Sequence, residues 1–322
     1  MRLLYTGILA LLLTLGASLA NVTLAATPPR QKVIVDADIG DDIDDAFALA
    51  LLLHSPELDV LGITASWGDT ALRMRLLRRF LQQAGRTDIP LAQGPATSSK
   101  IAFTQARWAQ AYPAPTQAQR PAVDFLLEQL RAHPGQITLL ALGPLTTLAA
   151  AQRRDPQTFA KLQRIVMMGG SVRRGYGKSE YRPPAPPSAE YNVASDIAAA
   201  RQVLGAGVPI VMMPLDSTLV RLDELKRNAL FAQGSPATDA LTLLYHQWIQ
   251  ADQPWASETP TLFDVVPLAY LIDPGLCPTT TLSLTVDDQG YTREDASGTA
   301  LQICLRLDQT AFFDLFMSRL LR

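Results

Sequence analysis

The chain has little cysteine, little histidine and almost no net charge. Its 322 residues include two cysteines, Cys277 and Cys304, and neither has a second cysteine at Cys-x-x-Cys spacing. A thiol-based redox motif or thiolate metal site is therefore not expected. Both lie in or beside predicted C-terminal strands, so they can form one disulfide in an oxidising compartment or remain two buried thiols. Lysine and arginine number 28 against 30 aspartate and glutamate, a formal net charge of −2. No basic patch stands out, so nucleic acid is not an expected partner. Internal repeats and long linkers are also missing. The long apolar run Ile8 to Leu19 follows Arg2 and runs into Ser18-Leu19-Ala20 and Ala25-Ala26. It is short for a membrane span and ends in small residues. It reads as a signal peptide over residues 1–26 rather than an anchor, which predicts export to a periplasm or the exterior and no stable membrane anchor after cleavage.

Aspartate is abundant, and it is concentrated. Six aspartates fall within ten positions: Asp36, Asp38, Asp41, Asp42, Asp44 and Asp45. Val33-Ile34-Val35 before them reads as a buried strand, and Ala46 to Leu53 after them as a helix. The carboxylates thus occupy a strand-to-helix turn, where open α/β sheets bind ligands. Like charges this close raise one another's pKa unless a cation neutralises them. Ca²⁺ or Mg²⁺ suits a carboxylate-only set. An EF-hand is excluded, because from Asp36 the sixth position is Asp41 rather than glycine and the twelfth is Phe47 rather than glutamate.

Strands and helices alternate along the rest of the chain. Strands are expected at Leu58 to Thr64, Ile89 to Ala92, Ile137 to Leu142, Arg164 to Met168 and Pro209 to Met213. Thr281 to Val286 and Leu301 to Leu307 read as hairpin-type strands. A helix from Ala71 to Gln83 carries Leu72, Leu76, Leu77 and Phe80 on one face. Others are expected near Ala122 to Ala132, Leu148 to Gln152, Ser195 to Leu204, Leu222 to Phe231, Thr238 to Gln250, Phe263 to Ile272 and Gln309 to Leu321. Gln93 to Arg120 is irregular. Ser171 to Ser188, with four prolines, is a surface insertion or a loop over the ligand site. The alternation predicts one α/β domain over residues 27–322, with a mainly parallel, Rossmann-like central sheet flanked by helices.

Several expected strand ends open into polar or glycine-rich turns: Asp36 to Asp45, Ser66 to Thr70, Gly143 to Thr147 and Met168 to Gly170. Glu190-Tyr191-Asn192 and Phe263-Asp264 follow. In a parallel sheet such turns converge at one edge. Asp36-Ala37-Asp38-Ile39-Gly40 with Asp44-Asp45-Ala46, then Gly62-Ile63-Thr64 with Gly68-Asp69, Gly143-Pro144-Leu145-Thr146, Met168-Gly169-Gly170, Glu190-Tyr191-Asn192 and Phe263-Asp264 resemble, in order and rough spacing, the motifs of the inosine–uridine-preferring nucleoside hydrolase family. The resemblance covers nearly the whole chain from about Val33.

It implies Ca²⁺-dependent hydrolysis of the N-glycosidic bond of a ribonucleoside or related N-riboside, and a homo-oligomer. By analogy Asp38 would ligate Ca²⁺ and take a proton from a metal-bound water. Asp45, the Thr146 carbonyl and Asp264 would complete the protein's ligands. Asp44 and Asn192 would bind the ribose hydroxyls and Glu190 the 5′-hydroxyl. Met168 would pack near the sugar, and Asp36 and Asp69 would orient or bind ribose.

The sequence departs from the family pattern in three ways. The turn is two residues longer, so Asp41 and Asp42 could replace Asp44 and Asp45; the latter pair is preferred because Ala46 and the helix follow it. Phe263 stands where a histidine often precedes the final aspartate. His246, Tyr245, Trp248, Trp255 and Glu258 are then candidates, with Phe263 itself, to contact the leaving base. The ribose-contacting asparagine expected between the diglycine and Glu190 has no counterpart in Arg173 to Ser188. Blander readings accompany these: Asp41 or Asp42 as solvated or capping groups, Thr146 as a helix cap, Met168 and Trp67 as core, and His54 and His133 as structural residues at helix ends.

Two other functions use the same features. Haloacid-dehalogenase-like phosphatases also carry an hhhDxD turn, but need threonine or valine soon after it and a later lysine; Ile39-Gly40 follows here, and Lys161 lacks the context. An exported nucleoside- or sugar-binding protein that retains the calcium site without turnover is the non-enzymatic alternative, motivated by Phe263.

Overall fold

The computed structural model describes residues 29–177, 185–253 and 256–322; the expected signal peptide and Trp255 lie outside them. Among the described residues nine strands form one sheet. They are β1 (Gln31–Ala37), β2 (Leu58–Ala65), β3 (Leu91–Gln93), β4 (Ile137–Ala141), β5 (Arg164–Met168), β6 (Ile210–Met213), β7 (Thr280–Val286), β8 (Thr292–Glu294) and β9 (Thr299–Ile303). Their order is β3-β2-β1-β4-β5-β6-β9-β7-β8. Every pair from β3 to β9 is parallel, and β7 runs antiparallel to both β9 and β8. The expected α/β architecture is the one found.

The central strands are apolar on both faces because both faces are covered. Val33 and Val35 of β1 enter one hydrophobic cluster and Ile34 the other; Leu140 of β4 and its neighbours Leu139 and Ala141 divide the same way. This is the period-two alternation of a strand between two helical layers. Helices Asp44–Leu53, Thr70–Gln83, Pro236–Gln250, Val265–Ile272 and Gln309–Leu320 cover one face. Ala122–Ala132, Thr146–Arg154 and Ile197–Leu204 cover the other.

The chain winds from β1 outward to β3 on one side, then from β4 outward to β6 on the other. The strand order therefore reverses between β1 and β4, and the carboxyl ends of these two strands flank the crevice where such sheets bind ligands.

Some boundaries differ from expectation for local reasons. Helix Asp44–Leu53 begins two residues before Ala46, so Asp44 and Asp45 lie in its first turn, where anions meet the positive end of the helix dipole. The helix expected over Ser195 to Leu204 is broken at Asp196, whose side chain accepts from the Ala199 amide at 3.0 Å and starts a new helix. β8 has the sequence Thr-Arg-Glu and no apolar periodicity to mark it. The last predicted strand stops at Ile303.

Cys277 and Cys304 form a disulfide, with Cα atoms 5.7 Å apart, which ties the entry to β7 to the exit of β9. Both are fully buried. Closing a loop of 27 residues restricts the unfolded chain. Replacing both cysteines by serine should cost about 2–4 kcal/mol of unfolding free energy, read from denaturant melts of the oxidised protein and the double variant. Equal midpoints would show that the bond contributes nothing.

Candidate active site

The reversal point opens into a cavity of about 1210 Å³. Its walls include the ends of three strands and three helix starts. Asp38 follows β1. Asp44 and Asp45 open helix Asp44–Leu53. Leu142 follows β4, and Met168 ends β5. Glu190 caps the short helix Tyr191–Ser195, which carries Asn192. Asp264 stands directly before helix Val265–Ile272. All of these line the cavity, as do Trp248 and Phe263.

One carboxylate oxygen from each of Asp44, Asp45 and Asp264 lies within 4.8 Å of the others. All three residues are buried, and the Asp264 amide donates to Asp44 Oδ2 at 3.3 Å. Asp45 Oδ1 is buried and accepts no hydrogen bond among the described residues. Asp38 faces the same cavity. It is pressed from behind by Gly143: a Cβ on Gly143 would come within 2.7 Å of Asp38 Oδ1. Glycine is required there by close approach. Leu142 is tied back to β1 by its amide on the Asp36 carbonyl at 2.8 Å, and its own carbonyl accepts from Asn192 Nδ2 at 2.6 Å. Asn192 Nδ2 also reaches the Met168 carbonyl at 3.2 Å.

Glu190 is largely committed to structure. Its carboxylate accepts from the amides of Gly170, Asn192 and Val193 at 2.9, 2.8 and 3.1 Å, and from the Tyr176 hydroxyl at 3.5 Å. Tyr176 packs edge-on against Phe263, with ring centroids 6.2 Å apart. The described parts of the proline-rich insertion therefore form a wall of the cavity. Trp67 lines it too, in a left-handed backbone conformation (φ 63°), with its indole N–H on the Tyr191 hydroxyl at 3.1 Å.

Burial dominates the electrostatics. Loss of water pushes the carboxyls of Asp36, Asp38 and Asp44 up to about 7. Asp45 and Asp264 are driven well above the usual carboxylate range by burial, reinforced by the neighbouring aspartates. Arg73 opposes the rise at Asp38, Asp41 and Asp45. Asp36 sits behind the cavity wall and accepts from the Thr64 hydroxyl.

Other expected site residues lie outside the cavity. Thr146 does not line the cavity; it is the first residue of helix Thr146–Arg154, and its hydroxyl donates to Asp196 Oδ2 at 2.7 Å. Leu142, directly after the strand and four residues earlier, does line the cavity. Asp69 is exposed and caps helix Thr70–Gln83 by accepting from the Leu72 amide at 2.9 Å. His246 is on the exposed side of helix Pro236–Gln250, against Phe231 and Tyr245, while Trp248 turns inward. Residues two apart on a helix face nearly opposite ways. Tyr245 and Glu258 pair with each other, hydroxyl to carbonyl at 2.9 Å, away from the cavity. Asp41, the alternative to Asp44, carries its carboxylate on Arg73 at 2.8 Å.

Sequence reasoning missed Leu142, Tyr176, Tyr191 and Arg73. A backbone carbonyl leaves no side-chain signature, and the tyrosines sit in segments without periodicity. Arg73 did leave a signal. It is spaced three, four and seven residues from Leu76, Leu77 and Phe80, so it belongs to the apolar face in place of the half-buried Leu72.

A family model described as inosine-uridine preferring nucleoside hydrolase matches residues 33–314. The pyrimidine-specific ribonucleoside hydrolase RihA of Citrobacter koseri is 33% identical over 279 residues, which are 81% of this chain and 86% of that protein. The probable uridine nucleosidase 2 of Arabidopsis thaliana is 36% identical over 203 residues, 59% of this chain; the match spans 60% of that relative's length. Among solved structures, a plant nucleoside hydrolase, the PpNRh1 enzyme, superposes with a TM-score of 0.77 at 28% identity, covering 91% of this chain and 99% of that one.

The raised carboxyls have a measurable consequence. Groups that release their protons near pH 4 in the unfolded chain and near pH 7 in the fold leave the folded state with more bound protons between those limits. Stability then falls as pH rises through that window. In chelator, the melting temperature should drop from about pH 5 to about pH 8, and added Ca²⁺ should restore more of it at the higher pH, where fewer protons compete. A flat profile with no response to the cation would show that these carboxylates hold neither.

Proposed function

The chain belongs to the inosine-uridine preferring nucleoside hydrolase family, and from that premise we propose that it hydrolyses the N-glycosidic bond of a ribonucleoside, or a related N-riboside, to ribose and free base. The observation that carries this reading is the buried triad Asp44, Asp45 and Asp264, opening with Asp38 into one cavity opposite Asn192.

The donor set fits a hard divalent cation: carboxyl groups, one carbonyl, and an Asp45 oxygen buried without a hydrogen bond among the described residues. We assign Ca²⁺ to Asp38, Asp45, Asp264 and the Leu142 carbonyl, with Leu142 replacing Thr146 in that role. When bound, the cation would supply a water of lowered pKa and a fixed point for the ribose hydroxyls. Asp38, closely approached by Gly143, takes the proton of the attacking water. Asp44 and Asn192 bind the 2′- and 3′-hydroxyls. Asn192 is oriented for this by its Nδ2, which is fixed on the Leu142 and Met168 carbonyls, while its Oδ1 accepts no bond among the described residues. Glu190, with Tyr176, takes the 5′-hydroxyl. The surrounding carboxylates stabilise the positive charge that develops on the ribosyl ring. Phe263 and Trp248 offer aromatic faces to the base rather than a proton donor.

We also propose that the protein is exported. The charged start, apolar run and small residues of positions 1–26 support this, as does the Cys277–Cys304 disulfide, a bond that persists in oxidising compartments.

The test is a panel of nucleosides headed by uridine and cytidine, in view of the relatives, scored for release of base and of reducing sugar. Turnover should disappear in chelator and return with Ca²⁺. Asp38→Ala should lower kcat by about 10²–10⁴-fold while the circular dichroism spectrum is kept. Nucleoside binding without base release would overturn the hydrolase reading. If Asp38→Ala kept both activity and metal content, the base would be another residue.

A further inference from the structure

Arg73 is among the largest fully buried side chains, and it lies inside the site rather than at its rim. Each nitrogen of its guanidinium is used. Nε donates to the Trp67 carbonyl at 2.8 Å. Nη1 donates to the carbonyl of Asp38 and to that of Ile39, the latter at 2.9 Å. Nη2 donates to Asp41 Oδ2 at 2.8 Å. One side chain thus fastens the backbone of Asp38, one of the two inserted aspartates, and the left-handed turn at Trp67.

The inserted residues are held from the other side as well. The Thr104 hydroxyl donates to the Asp41 carbonyl at 2.7 Å, and Gln105 Nε2 to the Asp42 carbonyl at 2.5 Å. The Gln105 amide reaches the Gly40 carbonyl at 3.1 Å. Phe103 lies over Gly40, where φ is +126° and a Cβ would clash with the ring at 2.2 Å.

A turn two residues longer than the family pattern could fold in several ways, and only some would aim Asp38 at Asp44, Asp45 and Asp264. We propose that Arg73 and Asp41 form a positioning pair for the cation site. Arg73 fixes the Asp38 backbone, and Asp41 anchors Arg73 and balances its buried charge. The inserted acid acts as a counter-ion to arginine and not as a metal ligand. This inference rests on reading the aspartate cluster as a divalent-cation site.

A role through charge and a role through position predict opposite results. Arg73→Met removes a positive charge near the cluster, so charge alone would make Ca²⁺ bind more tightly. Lost positioning would make it bind more weakly. Arg73→Lys keeps the charge but cannot reach four acceptors at fixed geometry. Titrating chelator-stripped protein with Ca²⁺ by calorimetry, without substrate, should show affinity weakened about 10–100-fold in both variants, the scale of lost support behind metal ligands. Asp41→Ala leaves Arg73 and every assigned ligand in place. It should weaken Ca²⁺ binding too; because the lost charge acts in the same direction, Asp41→Glu, which keeps the charge and moves the carboxylate off Nη2, should also weaken it and serves if the Arg73 variants fail to fold. With nucleoside, kcat should fall more than KM changes, since Asp38 is the group displaced.

Wild-type affinity in Arg73→Lys, tighter binding in Arg73→Met, or unchanged binding in Asp41→Ala would each overturn the pair. A wild-type protein that binds no Ca²⁺ overturns it together with the cation reading. A wild-type protein that binds Ca²⁺ but hydrolyses no nucleoside overturns the hydrolase reading alone, and the pair then stands or falls on the calorimetry.

Discussion

Mutual repulsion of buried carboxylates is the constraint on which the rest of this molecule depends. Two like charges 4 Å apart repel by about 4 kcal/mol at an effective dielectric near 20. The strand-to-helix turn holds six aspartates, and Asp264 arrives from a distant segment. The fold answers by giving the acids different surroundings. Asp36 is withdrawn behind the wall against Thr64. Asp41 is paired with Arg73. Asp42 accepts from the Ile43 amide at 2.7 Å. Facing the cavity, with no arginine paired to their carboxylates among the described residues, are Asp38 and the triad Asp44, Asp45 and Asp264, a concentration of negative charge that a divalent cation can relieve.

Sheet topology makes that division possible. Because the winding reverses between β1 and β4, the turn after β1 has no crossover helix pressed against it on the β4 side. The turn after β4 comes close instead, and Gly143 lets its backbone touch Asp38. Helix Val265–Ile272 then packs beside helix Asp44–Leu53, so that Asp264 meets the first turn of its neighbour. Residues 220 apart in sequence converge because two helices share one face of the sheet.

How much of this was legible in the sequence depended on whether a side chain announced itself. β1 and the helix after it were readable from apolar pattern alone, and the acidic turn between them was conspicuous. The spacing of later motifs brought Met168, Glu190, Asn192 and Asp264 to the cavity correctly. Thr146 drew attention as a polar side chain in its motif, yet it lies outside the cavity, while Leu142, whose apolar side chain gives no signal, lines it. Asp69 looked like another site acid; it caps a helix, a duty that draws on the same residue type. His246 was near the right residues in sequence and on the wrong side of their helix. Arg73 was hidden by the habit of reading arginine as exposed, although its spacing put it on the apolar face.

The two ends of the sheet carry a consequence for how copies of this chain can meet. β3 and β8, the outermost strands, are three residues each. Glu294 of β8 is bound by Arg173, and Arg293 by Asp287. Such blunt, charged margins offer too short a row of free amides and carbonyls for a neighbour's strand to join. At either outermost strand a neighbour's strand therefore finds only three residues to pair with, which limits growth of the nine-stranded sheet at those margins.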